Sequence, residues 1–341
     1  MRRKRICVAL QGGGAHGAFT WGVLDRLLQE PQLEIEAVSG TSAGAMNGAV
    51  LVDGLKRGGA NLARERLEAL WRSVSAAGSA TFRPGRRFVP AFTVPLGWAA
   101  FAPWSDALSL VWSPYDNPFY RNLLVDVLRD VLPRMDALND SAMPYLFVCA
   151  TNVRTNERKI FRAGELDVAA LTASACLPTL FRTVHVGRDA YWDGGYLGNP
   201  ALLPLRSPAL SPDLLLVWVN PLARPDVPTS ARAIQDRINE ITFNASMVQE
   251  IEAIDAINVL KDAAGGGDLP FKRVRLHEIK DDPHMAGLDL ASKLDTSWPF
   301  LQELRDFGRH AAQRWIHAHL DDVGHTATAD VQGVLRCVRG R

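Results

Sequence analysis

The sequence predicts a three-layer α/β/α protein with a mostly parallel central sheet and an aromatic, proline-rich insertion over one end. Two strand-to-helix turns near the start, at Gln11–Gly17 and Ser39–Ala45, call for parallel strands covered on both faces. Short apolar runs then alternate with helical patterns along most of the chain. At 341 residues and 47% apolar content, one large domain can bury a full core. With 22% charged residues and a net charge of +1, there is no global field to attract nucleic acid, so function rests on local sites.

Ile6–Leu10 reads as the first strand, Gln11–Gly14 as the loop leaving it, and Ala15–Leu28 as a helix with Phe19, Val23, Leu24, Leu27 and Leu28 at helical spacing, ended by Pro31. Ile35–Val38 is a second strand, followed by helices over Ala43–Leu55 and Asn61–Val74. The insertion covers about residues 76–117, with poor periodicity and Phe82, Phe88, Phe92, Trp98, Phe101, Trp104 and Trp112. Next come a helix over Pro118–Leu132, a strand over Tyr145–Ala150 with a hairpin partner at Lys159–Arg162, and a helix near Val168–Cys176. His185–Gly195 reads as a hairpin ending in a turn, and Leu214–Val219 as a buried strand. A long helix over Ala231–Asp262, a break at Gly265–Gly267, a last strand over Lys272–His277 and a last helix over Pro299–Leu320 complete a single domain over residues 1–320. Residues 321–341 read as a small polar tail, disordered in part.

The basic start, Met1–Arg5, is followed by too short an apolar run for a secretory signal, and the apolar stretch Phe88–Trp112 is broken by prolines and Asp106. Cys7, Cys149, Cys176 and Cys337 are widely separated and read as reduced thiols, which suits a cytoplasmic protein, soluble or peripheral to a membrane. There is no calcium loop and no zinc spacing, so neither metal nor cofactor is implied. Oligomeric state is open.

Three motifs carry chemistry. Gly40-Thr41-Ser42-Ala43-Gly44 fits G-x-S-x-G, a serine on a tight strand-to-helix turn where backbone N–H groups face developing negative charge. Gly12-Gly13-Gly14-Ala15-His16-Gly17 fits G-x-G-x-x-G, as a dinucleotide loop or as an oxyanion hole of glycine N–H groups. A dinucleotide loop wants an acidic residue at the end of the second strand, and that place holds Ser39–Ser42, which favours the oxyanion hole. Tyr191-Trp192-Asp193-Gly194-Gly195 alone would be a plain turn.

Together, in this order, the three resemble the patatin-like phospholipase family, with Ala173–Pro178, Asn199-Pro200 and Pro204-Leu205 looking like its intervening and following segments. The resemblance covers about Arg5–Val219, and Ser292–Ile316 looks like the closing segment of a bacterial subgroup. It implies a patatin-like fold and a Ser-Asp dyad: Ser42 as nucleophile, Asp193 as base, Gly12, Gly13 and Gly14 around the oxyanion, and Gly17, Gly40, Gly44, Gly194 and Gly195 shaping the turns. The implied activity is that of a serine lipid acyl hydrolase, acting on a lipid or long-chain ester. One departure is His16, where the family usually has arginine or lysine.

Alternatives stay open: a Ser-His-Asp triad drawing on His277 or His284, or a silent lipid-binding protein of the same fold. Trp98, Phe101 and Trp104 read either as a cap on the core or as an interfacial patch that contacts lipid.

Overall fold

The computed structural model describes residues 3–80, 113–118, 120–224, 226–263, 272–288 and 291–339. The expected insertion lies mostly outside the described residues, and so do Trp98, Phe101 and Trp104.

An eight-stranded sheet forms the centre. Its elements, with the larger helices, run β1 (Lys4–Leu10), α1 (Gly17–Leu27), β2 (Leu33–Gly40), α2 (Ala43–Ala80), α3 (Leu123–Val131), β3 (Tyr145–Asn152), β4 (Arg158–Phe161), α4 (Val168–Ser174), β5 (Val184–Val186), β6 (Asp189–Asp193), β7 (Asp213–Val217), α5 (Ala231–Ala263), β8 (Arg275–Ile279), α6 (Trp298–His319) and α7 (Val331–Arg339). The hydrogen-bonded order is β5-β6-β3-β2-β1-β7-β8, with β4 branching from β3. Strands β3, β2, β1, β7 and β8 are parallel, and β4, β5 and β6 form the antiparallel edge.

Two cores follow from the alternation of β1. Ile6, Val8 and Leu10 face the layer containing α1, α2 and α6, while Cys7 and Ala9 face the layer of α5 and α7 with Met247, Ile251 and Val334. Helices α1 and α6 approach until backbone meets backbone: a Cβ on Gly22 would lie 1.8 Å from the Arg305 carbonyl oxygen, and one on Gly308 would lie 2.0 Å from that of Phe19.

Three differences from the sequence reading have physical causes. The two helices expected over residues 43–74 run on as α2, kinked at Gly59, whose φ of 77° only glycine adopts freely. The last strand begins at Arg275 rather than Lys272. The expected polar tail carries α7, which buries Val334 and Leu335, so its amphipathic pattern is used against the second core. Among the described residues no helix is long and apolar enough to cross a membrane.

Candidate active site

The functional side chains gather at the C-terminal ends of the parallel strands, where an open α/β sheet leaves room for ligands. Strand β3 explains how residues 151 positions apart in the chain come together. Val148 pairs with Gly40 of β2 and with Phe161 of β4, and Ala150 pairs with Lys159 of β4 and with Asp193 of β6. Strand β4 therefore occupies one edge of β3, and the other edge carries β2 first and β6 beyond it. Asp193 thus arrives just past the end of β2, where the chain turns through Ser42.

The Ser42 turn is strained. Ser42 has φ 54°, unusual for a residue with a side chain, and is followed at once by α2. Its neighbours have no space for side chains: a Cβ on Gly40 would stand 2.5 Å from the Gly44 carbonyl oxygen, and one on Gly44 would stand 2.2 Å from that of Leu10. Gly12 passes equally close, its added Cβ meeting Ser42 Cβ at 2.8 Å. Ser174 Oγ accepts the Ser42 N–H at 3.0 Å, and Thr41 Oγ1 donates to the Gly198 carbonyl at 2.6 Å.

Asp193 is fully buried and caps the single turn Gly194–Tyr196, its Oδ1 accepting the Gly195 N–H at 2.7 Å. Oδ2 has no hydrogen-bond partner among the described residues. Burial drives its pKa up to about 7, opposed by the Gly195 N–H and by the Ser42 side chain. Gly194 lies under Cys149, whose carbonyl oxygen would be 2.2 Å from an added Cβ, and Gly195 lies under Phe243.

The glycine loop is held from behind. Gly12 N–H donates to Asn199 Oδ1 at 2.6 Å, and the Gly12 carbonyl accepts from Asn220 Nδ2 at 2.8 Å. Gln11 Oε1 accepts the N–H groups of Val219 and Asn220, and its Nε2 donates to Asn244 Oδ1, tying the ends of β1 and β7 to α5. The Gly12 amide is thereby engaged within the protein. Gly14 has φ +59° and Gly17 abuts Ala43. The His16 ring is buried, with Nε2 2.7 Å from Ser292 Oγ, so it faces the closing segment.

A largely apolar cleft of about 800 Å³, including its open mouth, extends from Ser42 between α2, α3 and the Ala175–Phe181 segment; Met46, Trp71, Leu128 and Phe181 are among its walls. Its apolar walls suit an acyl chain. The histidines considered as bases lie elsewhere. His277 is buried on β8, with Nε2 3.1 Å from Asp213 Oδ1 and Nδ1 2.9 Å from Thr328 Oγ1, and Asp213 opens β7 at the end of the sheet opposite Ser42. His284 pairs with Asp281 at 2.8 Å and stacks on Phe307. Cys7, Cys149 and Cys176 are free, buried thiols, each pushed by burial to about 12 and hence unreactive.

Motif spacing did not point to Gln11, Asn220 or Lys293, which frame the glycine loop from β1, the end of β7 and the closing segment. Gln11 alone left a trace, as a polar residue closing an apolar strand.

No curated protein matches the chain. Two solved structures overlay on it loosely. VipD from Legionella pneumophila does so at 14% identity and TM-score 0.35, over 100% of this chain and 80% of that one. ExoU from the type III secretion system of Pseudomonas aeruginosa, solved in complex with SpcU, does so at 14% identity and TM-score 0.27, over 99% of this chain and 77% of that one. Neither overlay is close enough to carry an argument. The family model described as Patatin-like phospholipase matches residues 8–206, a span that holds the glycine loop, the Ser42 turn and the Asp193 turn, and the chain belongs to that family.

Proposed function

We propose that the protein is a serine lipid acyl hydrolase of the phospholipase A, lysophospholipase or esterase type, working through a Ser42–Asp193 dyad. The observation that carries this reading is a serine on a strained turn beside a buried carboxylate of pKa about 7, at the head of an apolar cleft. A base titrating near neutrality combines a substantial ionised fraction with appreciable proton affinity.

In the proposed first step Ser42 Oγ attacks the ester carbonyl as its proton passes to Asp193, whose unpartnered Oδ2 is the natural acceptor. The carbonyl oxygen takes the negative charge and is held by the N–H groups of Gly13 and Gly14, the Gly12 N–H being engaged by Asn199. Collapse of the intermediate expels the alcohol, which takes the proton from Asp193. Water then attacks the acyl-enzyme, with Asp193 again accepting a proton, and Ser42 leaves with its proton restored. Neither His277, beside Asp213 near the opposite end of the sheet, nor His284, stacked on Phe307, lines the cleft at Ser42, which disfavours a triad. Contact of Trp98, Phe101 and Trp104 with a lipid surface belongs to the same proposal.

The test is hydrolysis of long-chain p-nitrophenyl esters and of phospholipids by the wild type and by Ser42→Ala. The variant is expected to lose about four orders of magnitude in kcat while folding normally. Retention of more than a tenth of the activity would overturn the assignment.

A further inference from the structure

The peptide that offers the Gly13 N–H is gripped at its other end. In a trans peptide the carbonyl and the N–H point in opposite directions, so whatever holds the Gly12 carbonyl also sets where the Gly13 N–H aims. That carbonyl accepts from Asn220 Nδ2 at 2.8 Å and, more distantly, from Asn199 Nδ2 at 3.4 Å. Asn199 Oδ1 accepts the Gly12 N–H at 2.6 Å, so Gly12 is held on both of its polar groups. An added Cβ on Gly13 would stand 2.8 Å from Val219 Cγ1, which shows the same stretch of chain resting on the residue before Asn220.

The Asn220 amide can face only one way. The residue is 1% exposed, and Gln11 Oε1 accepts its backbone N–H at 2.8 Å together with that of Val219 at 2.7 Å. Lys293 Nζ donates to its Oδ1 at 2.6 Å. An ammonium can only donate, so the atom facing Lys293 is the amide oxygen and the atom facing Gly12 is the amide nitrogen. Lys293 acts on the Glu240 carboxylate as well, and its part here needs only the one bond to Asn220. Ammonium, Asn220 amide and Gly12–Gly13 peptide therefore form a chain in which each member donates to the carbonyl oxygen of the next. Such a chain polarises its amides in series and makes the last N–H a stronger donor.

We propose that Asn220 is a positioning residue for the reaction: by holding the Gly12 carbonyl it aims and strengthens the Gly13 N–H that takes the charge on the ester oxygen. The inference rests on the Ser42–Asp193 reading and on Gly13 as an oxyanion donor. Asn220 works through the Gly13 amide and not on the substrate. It lies outside residues 8–206, the span that the family model matches. The ester oxygen is neutral in the bound substrate and anionic in the tetrahedral intermediate, so a better aimed donor acts on kcat and hardly on KM.

The experiment measures kcat and KM for a long-chain p-nitrophenyl ester and for its thionoester, in which sulfur replaces the carbonyl oxygen. It uses the wild type, Asn220→Asp and Asn220→Leu, with rates counted per folded molecule. Removing a whole oxyanion donor costs about 10²- to 10³-fold, and misaiming one is expected to cost about 10- to 100-fold in kcat, with KM changed less than about 2-fold. Sulfur is a weak acceptor, so the wild type is expected to favour the oxygen ester, and each variant to lose about tenfold of that preference. Asn220→Asp keeps the shape of the side chain and an oxygen for Lys293, so the test stands even if Asn220→Leu folds poorly. Losses of equal size on ester and thionoester, or a loss confined to KM, would make Asn220 a structural prop and overturn the proposal. Unchanged kcat in either variant would overturn it too. Activity surviving in Ser42→Ala would instead overturn the hydrolase reading, whatever Asn220 does.

Discussion

Asp193 and Asp213 sit on the same sheet, at 0% and 2% exposure, and the protein treats them in opposite ways. At the C-terminal ends of the parallel strands Asp193 has one backbone N–H and an unpartnered oxygen, and burial lifts its pKa to about 7. At the other end Asp213 is gripped by Arg275 through two bonds of 2.8 and 2.6 Å, by His277 Nε2 at 3.1 Å and by the Gly324 N–H at 3.0 Å. Burial alone would raise the Asp213 pKa, but Arg275, His277 and Gly324 outweigh it and hold the carboxyl well below the usual range. Two carboxylates hidden from solvent thus differ by their surroundings: burial raises the pKa of one, and hydrogen bonds and the Arg275 charge lower that of the other. The first is the base of the proposed dyad; the second clamps β7, β8 and the C-terminal segment together.

The comparison breaks most visibly at Asp193. Asp193→Asn is expected to lower kcat by about 10³- to 10⁴-fold, because an amide cannot take the serine proton. The same change should leave stability at pH 8 equal or higher. Since the folded pKa lies above the unfolded value, wild-type stability falls as pH rises from about 4 to about 7, and the asparagine variant escapes that loss. Activity together with urea midpoints at pH 5 and pH 8 would check both halves. A variant that keeps its activity would remove the base assignment.

The next effect belongs to the clamp. Asp213→Asn strips the anion from Arg275 and is expected to destabilise the fold by about 3–5 kcal/mol, as in breaking a buried ion pair. Rates per folded molecule should stay near wild type, because the site is at the opposite end of the sheet. Chemical denaturation with active-site titration separates these quantities, and a loss of kcat in fully folded protein would contradict the division of roles.

The smallest effect concerns pH. With Asp193 as base, kcat/KM should fall about tenfold for each pH unit below about 7 and level off above it. A profile flat down to pH 5 would mean that the group in control is not the one lifted by burial.

Much of the site was legible because its motifs are local. Glycine at 40 is required by a clash inside the turn itself, with the Gly44 carbonyl, whereas glycine at 44 is required by the Leu10 carbonyl at the end of β1, a contact that the turn alone does not reveal. The glycine loop and the Asp193 turn were equally readable as loops, but their convergence was not, since it depends on β3 handing one edge from β2 to β6. The Gly12 amide looked like an oxyanion donor in the sequence, and its engagement by Asn199 arises from a contact 187 residues away. His16 likewise showed a departure from the family pattern without showing its partner, Ser292. The clamp around Asp213 had no local signature, because Arg275, His277 and Gly324 come from other elements.

By itself the sequence determined what neighbours along the chain can enforce: the alternation that gives β1 two buried faces, the helical periodicities, and the turns that only glycine permits. Tertiary structure alone decided which buried carboxylate is held ionised by Arg275 and its neighbours and which has its pKa raised by burial. Burial and ion pairing act through space, and the residues that supply them lie tens to hundreds of positions apart.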